Sequence, residues 1–416
     1  MRACGLDFGT SNTTLGVVDA GGRPRLVPLE GDAVTMPSAV FYPLRGEPVV
    51  GRAAVAAYVA GDLGRLMRSL KSVLGTALID EATQVGRRRL GFRDVIAAYL
   101  ATVKARAEAA LGAELTHVVH GRPVFFVDGD PAADQKAEDV LAGIARDIGF
   151  SGIRFEYEPI AAALDYERQT VAEEIALIAD IGGGTSDFSI VRLGPERRGQ
   201  ADRSADILAN DGVRIGGTDF DRDLSLGTAM PLLGMGAAMR RGDIGVPLGP
   251  FHDLATWSRI NRLYDGRTLR LLKAIRDDAA EPGRLDRLVR VVEEERGHTL
   301  AIAVEDAKIA LADRGAARLD LGFLDAGLAL DLDASDLVAS TGSLAARIGE
   351  RVGICLRQAG LAADAIDAVF LTGGSTRLPH VRAGIVAKLP AARVIDGDIF
   401  GSVGMGLAIK AGTSEP

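Results

Sequence analysis

Gly5-Leu6-Asp7-Phe8-Gly9-Thr10-Ser11-Asn12-Thr13-Thr14 and, far along the chain, Ala179-Asp180-Ile181-Gly182-Gly183-Gly184-Thr185-Ser186-Asp187-Phe188 are two versions of one pattern. In each, an apolar strand ends on Asp, glycine and hydroxyl residues follow, and a second apolar strand leaves. A glycine-rich turn exposes backbone N–H groups that can cradle a phosphate. The hydroxyls add donors, and the Asp can hold a metal ion or its water shell. A single Asp-Gly strand end is usually only a turn former. Two copies in separate halves predict two lobes that grip one nucleotide from opposite sides.

Working outward, Leu6 to Asp19 reads as a hairpin punctuated by Gly21-Gly22. Segment 35–92 mixes short strands, Gly/Pro breaks and an Arg-rich helix, and reads as an insertion. Val95, Ala98, Tyr99, Thr102, Val103 and Arg106 follow helical spacing, which predicts a helix over 92–111. His117–His120 and Val124–Val127 read as a short buried strand broken by Pro123. A helix over 134–149 follows, with Gly149 suited to its C-cap. The plan restarts with strands over 175–179 and 188–193. Residues 235–300 carry many Arg and amphipathic spacing through Leu263, Leu269, Leu272 and Ile275, and predict a mostly helical second insertion, its charges a solvated face. Helices over 300–312 and 343–360, a strand over 368–371 and a third glycine turn, Gly373-Gly374-Ser375, complete the plan.

At 416 residues the chain is long for one core. A composition of 47% apolar and 25% charged residues is that of a globular protein, and a net charge of −8 argues against a nucleic-acid or anionic-membrane binder. Cys4 and Cys355 make no disulfide framework, so free thiols in a reducing compartment are expected. With no apolar leader and no membrane span in the sequence, the expected location is cytoplasmic. The five His are scattered, without His-Glu-x-x-His or a Cys pair.

The whole series resembles the ATPase domain of the Hsp70 chaperones, within the actin-like fold. The matching pieces come in that family's order. After the first phosphate loop come Met36-Pro37-Ser38 and Val50-Gly51-Arg52-Ala53-Ala54, then Leu70-Lys71-Ser72-Val73-Leu74-Gly75, which resembles the segment with the family's catalytic lysine. Glu158-Pro159-Ile160-Ala161-Ala162-Ala163-Leu164 resembles the first connecting helix. Asp180–Asp187, Ile215-Gly216-Gly217-Thr218-Asp219-Phe220-Asp221, Glu305-Asp306-Ala307-Lys308 and Leu371–Pro379 follow. The chain is similar to the short bacterial YegD-like members, and the resemblance implies that linker and peptide-binding domain are absent.

The resemblance implies an α/β, two-lobed actin-like ATPase of duplicated ribonuclease H-like domains. Lobe I spans 1–172 (insertion about 35–92), lobe II spans 173–395 (insertion about 217–312), and a C-terminal helix over 396–416 returns to lobe I. It implies Mg-dependent ATP hydrolysis that opens and closes the lobes. Asp7 and Asp180 would hold hydrated Mg²⁺, and Asp187 would order the attacking water. Thr10 and Thr185 would offer hydroxyls to the phosphates, beside Gly9, Ser11, Asn12, Gly182, Gly183 and Gly184. Lys71 would neutralise charge on the γ-phosphoryl group, and Glu158 would sit under the attacking water or metal shell. Three carboxylates repel one another: two charges ~5 Å apart cost roughly 3 kcal/mol at an effective dielectric of about 20, which a divalent cation relieves.

The adenosine end would use Gly216, Gly217, Glu305, Lys308, Gly373, Gly374, Ser375 and Arg377. In typical Hsp70s the Glu-x-x-Lys helix goes on to an Arg that stacks on adenine and a Ser that contacts the nucleoside. Here those positions are Ile309 and Ala312, so weaker nucleotide binding is expected. Clients or co-chaperones would use the 235–300 block. The alternatives are a sugar- or acetate-kinase-like phosphotransferase, a filament-forming actin relative, and a nucleotide sensor that scarcely hydrolyses.

Overall fold

In the computed structural model, which describes residues 2–85, 88–127, 129–168, 170–198, 200, 202–240, 244–397 and 401–413, the opening motif is a β-hairpin. Strand β1 (Ala3–Phe8) pairs antiparallel with β2 (Asn12–Val18), which pairs antiparallel with β3 (Pro24–Leu26) and β4 (Thr35–Pro37). A small sheet follows, formed by β5 (Ala39–Pro43), β6 (Val49–Val50) and β7 (Gly64–Arg68), then a hairpin of β8 (Ala82–Val85) and β9 (Arg88–Gly91). Strand β10 (His117–Arg122) then pairs parallel with β1, and β11 (Gly152–Tyr157) parallel with β10.

The second half repeats the first. Strand β12 (Glu174–Ile181) pairs antiparallel with β13 (Ser186–Leu193), and β13 antiparallel with β14 (Ile207–Val213). After the hairpin β15 (Ala316–Asp320) and β16 (Ala329–Asp333), β17 (Ala368–Thr372) pairs parallel with β12, and β18 (Arg393–Asp396) parallel with β17. Both sheets therefore have a hairpin strand, a further antiparallel strand and two parallel strands in the same order about their first strand, the first sheet adding β4 beside β2. Asp7 and Asp180 are each the penultimate residue of that first strand.

Met1–Val213, Arg351–Thr376 and Val386–Pro416 form one compact unit, which contains both sheets; Arg214–Glu350 and Arg377–Ile385 form another. In the first unit, helices Phe92–Leu111 and Pro131–Asp147 bury Val95, Tyr99, Val103, Leu141 and Ile144 in one core. Asp130 caps the second of these helices by accepting from Ala133 N–H at 3.0 Å, and Gly149 ends it with φ +98°. Helix Glu158–Glu167 leaves β11, started by Pro159 in its first turn. Helix Ser402–Gly412 lies on β1, β2, β10 and Glu158–Glu167. Glycine permits that approach: a Cβ on Gly5 would collide with the backbone of Leu407, and one on Gly406 with the carbonyl of Ala161. Cys4 and Cys355 are both free and buried.

In the second unit, Gly249–Ala255, Gly266–Asp277 and Pro282–Glu293 are helical, so the block around 235–300 is helical as its spacing predicts. Leu263, however, belongs to a separate 3-10 turn, Trp257–Tyr264.

Some expectations change. Strand β10 stops at Arg122; 124–127 is irregular and Phe125 is 52% exposed, because Pro123 removes the N–H that a continuing ladder needs. The insertion's α-helix, Arg52–Val59, is alanine-rich, and Arg65 and Arg68 sit on β7. The helix expected over 343–360 is Ala334–Ala359, started earlier by Asp333, which accepts from Ser335 N–H at 2.7 Å. Of the expected C-terminal helix over 396–416, Ser402–Gly412 is helical, and 398–400 and 414–416 lie outside the described residues.

Gly406→Val should destabilise the protein by about 1–3 kcal/mol or prevent folding, since backbone meets backbone there. Gly283→Ala, on a helix with open space around it, should be neutral or raise stability by up to about 1 kcal/mol. Urea denaturation of both variants checks this; a wild-type midpoint for Gly406→Val contradicts the packing.

Candidate functional site

The two glycine loops meet inside the first unit. A Cβ on Gly183 would collide with the Ser11 hydroxyl, so the second loop lies directly against the first. Ser38 holds the first loop in shape: its N–H donates to the Ser11 carbonyl at 2.9 Å and its hydroxyl to the Gly9 carbonyl at 2.7 Å. Tyr99 in turn donates to the Pro37 carbonyl at 3.1 Å. The second loop closes through Gly182 N–H to the Thr185 carbonyl, 2.9 Å. Ser375 donates to the Gly182 carbonyl at 3.2 Å, bringing the third glycine turn to the same place. Gly373 has φ +82°, and a Cβ there would lie 2.5 Å from Asp180 Oδ1; a glycine is required on both counts.

The charges follow from that closeness. Burial, then Glu158 and Asp180, push the Asp7 carboxyl up to about 7, with Lys71 opposing. Burial, then Asp187 and Glu158, push Asp180 up to about 7. Lys71, in the turn Leu70–Val73, makes an ion pair with Glu158 Oε1, both side chains mostly buried. Burial would lower the Lys71 ammonium, but Glu158, Asp7 and Asp187 outweigh it and hold it above its usual value. Thr185 donates its hydroxyl proton to Asp187 Oδ2 at 2.8 Å. Asp187 stands opposite Asp180 across the hairpin, and Gly212 of β14 leaves room for it.

The structure thus brings together Asp7, Gly9, Ser11, Lys71, Glu158, Asp180, Gly182, Gly183, Thr185, Asp187, Gly373 and Ser375, with Thr10, Asn12, Gly184 and Gly374 on the same turns. Gly216, Gly217, Glu305, Lys308 and Arg377 belong to the second unit. There Gly216 and Gly217 start the helix Gly217–Gly227, where Gly216 N–H donates to Asp219 at 3.0 Å. Lys308 is buried and joins Asp221 at 2.7 Å and the Gly217 carbonyl at 3.2 Å. Glu305 is exposed, and so is Ile309 on the same helix, Gly297–Arg314. Arg377 pairs with Asp313 at 2.6 Å near the end of that helix, a bracing contact.

Sequence reading missed Ser38 as the brace of the first loop and Arg122 as the brace before Glu158. The Arg122 guanidinium bonds Asp134 at 2.6 Å and Glu138, and lies 5.2 Å from the ring of Tyr157. Partners separated by 12 or more residues leave no local signal. Among the described residues no three His, Cys, Asp or Glu side chains could hold a metal ion by themselves, and no helix is long and apolar enough to cross a membrane.

A family model for the Hsp70 protein matches residues 3–226 and 289–416, taking in both loops, Lys71 and Glu158. The chain belongs to the Hsp70 family. The α/β actin-like ATPase fold expected from the resemblance is that family's, and the unmatched stretch, 227–288, falls largely within the helical block of the second unit. The chain is 30% identical over 434 residues to a chaperone protein HscA homolog of Laribacter hongkongensis, covering 98% of this chain and 58% of that one. It is 29% identical to a chaperone protein HscA homolog of Azotobacter vinelandii, covering 99% of this chain and 58% of the relative. This Hsp70-family chain thus spans a little over half the length of the curated relatives it matches.

The raised carboxyls set a pH dependence. Asp7 and Asp180 bind protons more tightly folded, near 7, than unfolded, near 3.8. Their protonated forms support stability below about pH 4, and this support is lost as pH rises toward about 7. The nucleotide-free protein should therefore melt lower at pH 8 than at pH 5.5. Asp180→Asn should recover on the order of 1–2 kcal/mol at pH 8 and less at pH 5.5. Thermal melts at both pH values test this; an Asn variant less stable than wild type at pH 8 contradicts it.

Proposed function

We propose that this Hsp70-family chain binds ATP and ADP and hydrolyses ATP slowly with Mg²⁺, as a chaperone-related switch that opens and closes two lobes. The observation that carries the reading is the Lys71–Glu158 pair set among Asp7, Asp180 and Asp187 where two phosphate-type loops meet. Phosphoryl transfer is mostly positioning and charge stabilisation, which such a set can supply. The lobe division at 1–172, 173–395 and 396–416 is part of the proposal.

The loop backbones of Gly9–Asn12 and Gly182–Thr185 would hold the phosphate oxygens. Thr10 would donate its hydroxyl; Thr185 would turn its proton from Asp187 toward a phosphate. Lys71 would stabilise charge gathering on the γ-phosphoryl oxygens. Asp187, freed of Thr185, would accept from and orient the attacking water, with Glu158 beneath it. Asp7 and Asp180 fit a hydrated divalent cation: two buried carboxylates pushed up to about 7 form a site short of positive charge. When bound, Mg²⁺ would neutralise phosphate charge, keeping waters among its ligands. Gly216, Gly217, Glu305, Lys308, Gly373, Gly374, Ser375 and Arg377 remain the proposed adenosine set. Two free, buried cysteines favour a cytoplasmic location, and clients or co-chaperones would use the 235–300 block.

One observation favours a second reading, a nucleotide sensor with little turnover. Ile309 is 47% exposed where the family resemblance calls for an adenine-stacking Arg. Ile309→Arg should tighten ATP binding by about tenfold if stacking is what the chain lacks. Calorimetric titration reads this directly, and unchanged affinity removes the argument.

Thr10→Ala, Lys71→Ala and Asp180→Ala should each lower ATP turnover about 100-fold or more. Phosphate release assays compare them with wild type. Wild-type turnover in Thr10→Ala and Asp180→Ala rejects the site; ATP binding without turnover in the wild type favours the sensor.

A further inference from the structure

His120, which the proposed chemistry leaves unused, is fully buried. It lies on β10 between Leu6 of β1 and Phe155 of β11, its ring centroid 5.8 Å from that of Phe155. Nδ1 is 2.9 Å from the carbonyl of Gly121. A carbonyl only accepts, so Nδ1 carries the proton and Nε2 keeps its lone pair. Nε2 has no hydrogen-bond partner among the described residues. A buried acceptor without a donor is a costly element to keep in a core, and an apolar side chain would remove that cost.

The next residue gives the reason for keeping it. A Cβ on Gly121 would lie 3.3 Å from Glu158 Cγ and 3.5 Å from its Oε1. The backbone that His120 clamps is therefore the surface on which Glu158 rests, and Glu158 holds Lys71. Burial, opposed by the Gly121 bond and aided by Lys71, lowers the imidazole to about 4, so it stays neutral near the ammonium. We infer that His120 is a positioning residue for the Lys71–Glu158 pair: its Nδ1–H fixes the Gly121 carbonyl, and its Nε2 lone pair faces the interior as a neutral acceptor. This rests on the ATPase reading above.

The test uses the full chain and steady-state ATP turnover. His120→Leu, which fills the space without a polar group, should lower kcat about tenfold while KM for ATP stays within about twofold. His120→Asn, whose amide can still donate to the Gly121 carbonyl, should restore most of kcat. Wild-type kcat in His120→Leu overturns the inference, as does an equal loss in Asn and Leu or a loss appearing in KM alone; each assigns His120 to packing. If His120→Leu does not fold, His120→Gln serves instead, because its amide is set one carbon beyond Nδ1. Asn then should exceed Gln about tenfold, and equal rates overturn the inference. Lys71→Ala separates the two claims: if it turns over ATP like wild type, the ATPase reading has failed. If it does not, a wild-type His120→Leu rejects the positioning role alone.

Discussion

Asp7 and Asp180 are held together against their own repulsion, and the surrounding structure is arranged to hold them there. Each stands one residue before the end of the first strand of its sheet, each is pushed up to about 7, and burial outweighs every neighbour in doing so. Water would disperse these charges; the core does not. The opposing elements are Lys71, held protonated by Glu158, and glycines that let backbone approach carboxylate. Gly373 is the clearest, because any side chain there would strike Asp180. Such a site lowers the stability of the empty protein and favours whatever brings positive charge to it. That is the stability–function conflict of a preorganised phosphate site.

The duplication is topological, not chemical. Apart from β4, both sheets share one strand order, and both place a glycine at the end of the strand that runs parallel to the Asp-bearing one, Gly121 within the last two residues of β10 and Gly373 just after β17. Across the hairpin, however, Asp7 faces Thr14, whereas Asp180 faces Asp187. The second hairpin therefore presents two carboxylates and the first only one, the first half's other site carboxylate, Glu158, coming from the helix after β11. Lys71 comes from the insertion of the first half and pairs with Glu158 of that same half.

Much of this could be read along the chain, because it is local. Apolar runs located both hairpins, period-3.6 spacing the helix Phe92–Leu111, and glycine with Asp marked both turns. Boundaries moved where local signals compete. Val124–Val127 has strand composition, but Pro123 ends the ladder before it. Asp333 starts a helix well ahead of the segment with clear spacing. In the candidate site, residue types were legible and pairings were not. Arg377 turned out to brace Asp313, and Lys308 to be buried against Asp221, since an ion pair depends on where two distant elements come to rest.

The sequence by itself determined the α/β class, the two Asp-Gly loops, the residues fit for phosphate chemistry and the resemblance to Hsp70. All of these depend on residue type and short spacing. Only the tertiary structure decided that the loops touch through Gly183 and Ser11, that Ser38 and Tyr99 brace them, that Lys71 reaches Glu158, and that His120 lies buried behind Gly121. The reason is physical: a carboxylate's proton affinity and a lysine's partner are set by burial and by charges tens of residues away, and these exist only once the sheets have packed.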